Sequence, residues 1–206
     1  MNILVYGSGG REHAVVKSLA LSATQPQIFI FPGNDGITKA TKVPNVDVST
    51  KENEFNSLAN FCLEKKIDFV FIGPEDPLCQ GFSKILRDKN INVVGPDEKA
   101  AQLEGSKIFS KNFMLKYKIP TAHSVEVSTV TQVEKHLAEF KTPYVLKADG
   151  LAAGKGAIVC FELPEVLDAV KKIMEDRLFG DAGERIVIEE YLDGEEVSFQ
   201  VLTDGD

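Results

Sequence analysis

The sequence predicts an α/β protein in two modules, an open parallel-sheet domain followed by a smaller α+β module. Two observations carry that prediction. Over the first half, short apolar runs closed by Gly, Pro or Asn alternate with segments of helical periodicity, the mark of βαβ units. After Gly95-Pro96 the pattern changes to a long helix and then to strands that alternate with loops and helices. With 206 residues, 43% hydrophobic and 26% charged, the chain has ample material for a core, and neither a disordered, a collagenous nor a membrane-spanning class fits.

The elements are taken in chain order. Ile3 to Tyr6 is a strand, Arg11 to Leu21 a helix, and Ile28 to Phe31 a second strand ending at Pro32-Gly33-Asn34. A less regular stretch runs to Ser49. Phe55, Leu58, Phe61 and Cys62 then share one helical face. Asp68 to Ile72 is a buried strand that enters Gly73-Pro74-Glu75-Asp76-Pro77. A helix over Leu78 to Lys89 and a strand over Asn92 to Val94 complete the first domain. Lys99 to Tyr117 reads as a helix interrupted at Gly105-Ser106, where Ser106 can cap the segment from Lys107 onward, and Ile119-Pro120 ends it.

Beyond that linker come a strand near Ser124 to Val127 and a helix with Val130, Val133, Leu137 and Phe140 on one face. Strands Tyr144 to Ala148 and Ala157 to Phe161 flank a glycine-rich loop. Glu165 to Asp176 is a helix with Val166, Val170 and Ile173 inward, and Ile186 to Glu190 and Glu196 to Leu202 read as strands. Asp204-Gly205 signals a hairpin turn, and no return strand comes after it, so the chain is expected to be the front portion of a longer enzyme or a product cut short.

Charge and cysteines narrow the function. With 31 acidic and 23 basic residues the formal charge is −8 and no basic run interrupts it, which argues against a nucleic-acid binder. Cys62, Cys79 and Cys160 are scattered and odd in number, which indicates neither a disulfide framework nor a zinc knuckle. His13, His123 and His136 are too far apart to suggest a metal site, and no metal ligand is expected within the chain. The short apolar start, without a basic leader, is read as a core strand, so the cytoplasm is the expected compartment and no membrane partner is expected.

Four segments carry chemistry. Gly7-Ser8-Gly9-Gly10-Arg11 comes directly after the first strand and opens a helix, so N–H groups and the helix dipole favour an anion there. A dinucleotide fingerprint needs glycine at position 12, where Glu12 stands, and this disfavours a nicotinamide dehydrogenase. The alternative is a tight strand-to-helix turn with no ligand. Glu75 and Asp76 sit at a strand exit where open sheets bind ligands, and they suit an amine or a sugar hydroxyl; the alternative is a solvated loop with Asp76 capping a helix.

Lys147 to Gly156 places three glycines and two lysines in ten residues between two strands, able to wrap a polyphosphate. It is not a Walker A loop, since one spacer is missing and Gly156 stands directly after Lys155. The alternative is an exposed hairpin loop. Val187 to Glu196 turns from an apolar strand into a segment whose backbone can read a purine edge while a carboxylate holds ribose; alone, it is an ordinary acid-rich strand exit.

Together GSGGREHA (7–14), PGN (32–34), GPEDPL (73–78), AAQLEGSK (100–107), IPTA (119–122), KADGLAAGKG (147–156), FGDAG (179–183) and VIEEYLDGEE (187–196) resemble the ATP-grasp superfamily, and within it the ligases that join glycine to 5-phosphoribosylamine. The resemblance implies a Rossmann-like pre-ATP-grasp domain over 1–103, a linker helix and ATP-grasp small lobe over 104–188, and the first strands of an incomplete large lobe over 189–206. It implies ATP and Mg²⁺ as cofactors, and a glycyl phosphate that the amine of 5-phosphoribosylamine attacks.

It further implies that Lys107 and Lys147 contact the ATP phosphates and that Gly150 to Gly156, with Gly154 and Lys155, form a flap over them. Backbone groups of Glu189, Glu190, Tyr191 and Leu192 would hold adenine, with Glu196 on the ribose. Lys147 and Lys155 are the candidate catalytic residues, and Asp149 joins the nucleotide set. Gly9, Gly10, Arg11 and Asn34, with Glu75 and Asp76 opposite, are assigned to the phosphoribosylamine side. By the same resemblance the Mg²⁺ ligands are expected beyond residue 206, which makes this polypeptide inactive alone. Rival readings are another ATP-grasp ligase of different carboxylate and amine, and a nucleotide-binding module without catalysis.

Overall fold

The structure, a computed structural model, describes residues 1–48, 53–152, 155–199 and 201. The chain divides into two compact units, residues 1–110 and 111–206. In the first, strands β1 (Asn2–Gly7), β2 (Gln27–Pro32), β3 (Phe69–Ile72) and β4 (Asn92–Val94) form a parallel sheet in the order β2-β1-β3-β4. Helices α1 (Gly10–Ala20) and α2 (Asp35–Thr41) come after β1 and β2; α3 (Glu54–Glu64) precedes β3. Next come α4 (Glu75–Cys79), α5 (Phe82–Asp88) and α6 (Glu98–Gly105).

Strand alternation divides the core. Ile3 and Val5 pack with Val16, Ile30 and Ile37 on one face of the sheet, and Leu4 with Leu58, Val70, Phe82 and Leu86 on the other. Helices therefore cover both faces, and the central strand is buried over Ile3, Leu4 and Val5, each such Leu, Val or Ile contributing roughly 1.5–3 kcal/mol.

Two helices differ from the sequence reading. The stretch after Asn34 contains α2, capped by the Asn34 side chain, which accepts from the Ile37 N–H at 2.9 Å. The helix expected over 78–89 is two helices, because Gly81 adopts φ +82° and breaks the run.

Helix α7 (Lys107–Tyr117) begins in the first unit and ends in the second. As expected, Ser106 caps it, its hydroxyl accepting from the Phe109 N–H at 3.1 Å. The second unit pairs β5 (Ser124–Val127), β6 (Tyr144–Ala148), β7 (Ala157–Cys160) and β8 (Ile186–Glu190) into an antiparallel sheet in the order β5-β8-β6-β7. One face packs against α8 (Val130–His136) and α9 (Leu163–Val170), with Leu146, Ala148, Ile186, Ile188, Val133 and Val166 in its core.

Helix α9 continues as a wider turn over Lys171–Glu175, and a short 3₁₀ turn over Gly180–Gly183 leads toward β8. The strand expected over 196–202 is not formed at Glu196–Phe199, which are exposed and outside any ladder. An alternating apolar pattern makes a strand only where a partner takes its backbone hydrogen bonds, and none is supplied to these residues among the described ones. The Asp204-Gly205 turn lies outside the described residues.

Candidate functional site

The first unit builds a site at the carboxyl ends of its strands. Gly7 is paired with Pro32, and Tyr6 with Ile72, so the loops after β1, β2 and β3 lie side by side. Sequential strands leave β1 in opposite directions, which places the crevice of an open sheet between β1 and β3. Arg11 bridges it. Its Nη1 donates to the Gly73 carbonyl at 2.5 Å and to the Glu75 carboxylate at 2.9 Å. Glu75's carboxyl is held below its ordinary value first by its own backbone N–H and then by the Arg11 guanidinium, with burial opposing both.

The expected helix-terminus anion site is partly taken by the protein itself. Glu12 is buried, and its carboxylate accepts from the Gly9 N–H at 2.6 Å, capping α1 from within. Gly7 and Gly73 leave it room, since a Cβ on either would run into the Glu12 side chain. Gly10 and Arg11 supply the remaining first-turn N–H groups, which have no intrahelical acceptor. Asn34 is exposed, yet its amide is engaged: Nδ2 donates to the Ser8 carbonyl at 2.5 Å while Oδ1 caps α2.

The two adjacent acids diverge. Glu75 faces Arg11, whereas Asp76 accepts from Gln80 at 2.6 Å and lines a separate cavity of about 400 Å³ with Tyr6, Glu54 and Phe55. Asp76 does not cap α4, which begins behind Pro74 with Asp76 already in its first turn. The Tyr6 hydroxyl donates to Glu54, and burial followed by that carboxylate raises its pKa.

The second unit builds the other site on the face of its sheet opposite the core. Lys147 and Glu189 both project there, and Lys147 Nζ lies 2.8 Å from Glu189 Oε2. Glu189 is buried. Its other oxygen meets Lys111 Nζ, from α7, at 3.3 Å. Lys111 is buried as well, donating also to the Thr121 hydroxyl at 2.8 Å and the Ala122 carbonyl at 3.0 Å.

At the exit of β6, the Asp149 carboxylate accepts from Arg185 at 2.6 Å, and the Asp149 N–H donates to the Arg185 carbonyl at 3.0 Å. The Ala148 N–H donates to the Gly156 carbonyl at 2.9 Å, closing the loop at its base. Gly150 has φ +132°, and a Cβ there would stand 2.8 Å from that of Ala182, so the FGDAG turn packs directly under the loop. Leu151 and Lys155 are exposed; Gly154 lies outside the described residues.

Glu190 ties β8 to the entry of β5, its N–H donating to the His123 carbonyl at 3.0 Å and its carboxylate accepting from the His123 N–H at 2.8 Å. Tyr191, Leu192 and Glu196 lie past the ladder and are exposed. The structure thus brings Arg11, Gly9, Gly10, Asn34 and Glu75 together in one unit; in the other it brings Lys147 and Glu189 together, with Asp149 and Gly156 at the exit of β6, whereas Glu190 pairs with Tyr144 at the opposite end of that strand. Lys107 stands at the first residue of α7, in the first unit.

Glu12, Lys111 and Arg185 were missed in the sequence reading as parts of these sites. Lys111 left a trace: it falls three residues after buried Ile108 on one helix face, and a lysine on an apolar stripe needs a buried partner. Among the described residues no helix is long and apolar enough to cross a membrane.

Comparison with known proteins places these observations in a family. Residues 1–104 match the family model of the phosphoribosylglycinamide synthetase N domain, and residues 105–206 that of the phosphoribosylglycinamide synthetase ATP-grasp (A) domain. The phosphoribosylamine–glycine ligase of Haemophilus influenzae is 46% identical over 205 residues, covering 100% of this chain and 47% of the relative. A bifunctional purine biosynthetic protein of Pichia angusta is 41% identical over 205 residues, covering 100% of this chain and 26% of that protein.

The crystal structure of the phosphoribosylamine–glycine ligase of Thermotoga maritima superposes with a TM-score of 0.74 at 28% identity, over 95% of this chain and 45% of that one. A biotin carboxylase domain from Hydrogenobacter thermophilus, solved with MgADP, ADP and bicarbonate, shares the fold at a TM-score of 0.72 and 19% identity, over 93% of this chain and 44% of that one. The chain spans about half the length of the phosphoribosylamine–glycine ligases it matches.

Proposed function

This chain belongs to the phosphoribosylglycinamide synthetase family, and from that membership we propose that it serves an ATP-dependent ligase joining glycine to 5-phosphoribosylamine. ATP passes its γ-phosphoryl group to the glycine carboxylate, releasing ADP. The amine of 5-phosphoribosylamine then displaces phosphate from glycyl phosphate, giving glycinamide ribonucleotide. The substrates are small molecules, and neither nucleic acid nor membrane takes part. Relatives named as phosphoribosylamine–glycine ligases at 42–46% identity across the chain support this reading.

The observation that carries it is the Lys147 ammonium, held by Glu189 beside the exit of β6, where the loop from Asp149 to Gly156 begins. Phosphoryl transfer asks a protein mainly for positioning and charge stabilisation. Lys147 and Lys107 are assigned to the phosphates, and Lys155 closes over them on the loop anchored by Asp149–Arg185 and by Gly150 against Ala182. Backbone groups from Glu189 to Leu192 take the adenine and Glu196 the ribose.

In the first unit, the first-turn N–H groups of Gly10 and Arg11 are assigned to the phosphate of phosphoribosylamine, with Gly9 and Asn34 shaping the loops and Glu75 near its amine and hydroxyls; Asp76, which lines a separate cavity, is left out of this set. The chemistry that magnesium would supply is charge neutralisation on the nucleotide phosphates. Among the described residues no group of three or more His, Cys, Asp or Glu side chains is arranged to hold a metal, so no step is assigned to it.

Calorimetric titration of the chain with ADP tests the nucleotide half. Binding that weakens at least about tenfold in Lys147→Met supports the assignment, by the usual strength of a charge-assisted phosphate contact. Equal affinity in the variant overturns it. ADP release from ATP that proceeds with D-alanine or bicarbonate but not with glycine would move the reading to another ATP-grasp ligase.

A further inference from the structure

Glu189 has two cationic partners although one would neutralise it. Lys147 meets Oε2 at 2.8 Å and Lys111 meets Oε1 at 3.3 Å, and the carboxylate side chain is 6% exposed. The partners differ in freedom. Lys111 is 10% exposed, and its ammonium is fixed by hydrogen bonds to the Thr121 hydroxyl and the Ala122 carbonyl as well as by its ion pair with Glu189. Lys147 is 31% exposed, and Glu189 is its one side-chain partner among the described residues.

We propose that Lys111 is a resident counterion for Glu189 whose task is to let Lys147 go to a nucleotide phosphate. The inference rests on the assignment of Lys147 to the phosphates. With one lysine, Glu189 would hold Lys147 tightly, because its departure would leave a buried carboxylate unpaired, a strongly unfavourable state. With Lys111 fixed on the far oxygen, the carboxylate stays paired when Lys147 turns away. Two ammonium groups against one carboxylate also leave the cluster a formal charge of +1, so it presents a surplus positive charge to an anion before any ligand arrives. Lys111 is therefore a positioning residue, acting through Glu189 and never touching the nucleotide.

ADP titrations of the 206-residue chain and four variants decide the matter, each checked for folding by circular dichroism. Lys111→Met weakens ADP binding about tenfold, since Glu189 then keeps Lys147 for itself. Adding Glu189→Gln to that variant frees Lys147 and recovers at least about threefold of the lost affinity, with Glu189→Gln alone as the reference for that recovery. A purely structural Lys111 predicts the opposite, a double variant at least as weak as Lys111→Met.

Unchanged affinity in Lys111→Met, or no recovery in the double variant, overturns the proposal. Should Lys111→Met fail to fold, the double variant, which buries no lone carboxylate, still decides: a loss as large as that of Lys147→Met overturns it. Lys147→Met is the separate control. If it binds ADP as tightly as the parent, or if the parent binds none, the phosphate assignment itself falls and takes the proposal with it.

Discussion

The carboxylate of Glu12 lies against the backbone of Gly73 so closely that no side chain fits between them. One acid from the first helix thus fills the junction where β1 and β3 end, and Arg11 reaches across the same junction to the Gly73 carbonyl. The rim of the crevice is consequently set by packing between neighbouring loops, before any ligand binds.

Gly73→Ala is expected to cost about 1–3 kcal/mol, the usual range for overpacking a closed site. Urea unfolding measures it. Glu12→Ala in the same chain should recover part of the loss, and strictly additive effects would show that the two groups do not collide.

Gly150→Ala faces two separate costs, a φ of +132° and a Cβ 2.8 Å from that of Ala182. Together they should lower stability by about 1–3 kcal/mol. Ala182→Gly removes only the contact, so the double variant regains a fraction of the melting temperature, less than Glu12→Ala regains for Gly73→Ala. Complete recovery would show that the backbone angle carries no strain.

The Glu75 carboxyl, held below its ordinary 4.5, is more acidic folded than unfolded, so it stabilises the fold above that value. The benefit fades as pH falls through the lower, folded value. Glu75→Gln should therefore narrow the stability difference between neutral and acid solution, and by a small amount because the side chain is 40% exposed. Guanidinium midpoints at about pH 7 and about pH 3 report it; an unchanged difference would contradict the assignment.

All three thiols are held neutral. Burial pushes Cys62 up to about 12; burial and then Glu165 and Asp168 raise Cys160, and burial with the acids around it raises Cys79. At about pH 8 an aromatic disulfide reagent should label Cys62 and Cys160 no faster than the chain unfolds, and label all three at once in denaturant. Prompt reaction of Cys62 in the native protein would show that its burial is not maintained.

Long apolar strands and amphipathic helices were legible because period and burial coincide in them: Ile3 to Tyr6, Asp68 to Ile72 and Tyr144 to Ala148 all fall within a residue of the strands they predict. Helix α2 was not, because Asp35–Thr41 combines a glycine with two threonines and owes its existence to the Asn34 cap and to Ile37 in the core. The break at Gly81 was hidden in an apolar periodicity that continues through it.

The motifs at strand exits were visible as glycine and charge at fixed spacing. Their supports were not. Arg185 meets Asp149 across 36 residues, and Lys111 meets Glu189 from a still more distant helix, separations over which one sequence carries no pairing signal.

Strand β8 is the last of its four to be made and yet lies inside the sheet, between β5 and β6. Its pairing of Glu189 with Ser124 closes a long loop, a contact whose entropic cost must be met before the sheet gains from it. On the ribosome, therefore, the parallel-sheet unit can complete itself while β5, β6 and β7 wait with an open slot, and the lysine-rich loop acquires its footing only after Arg185 has left the exit tunnel.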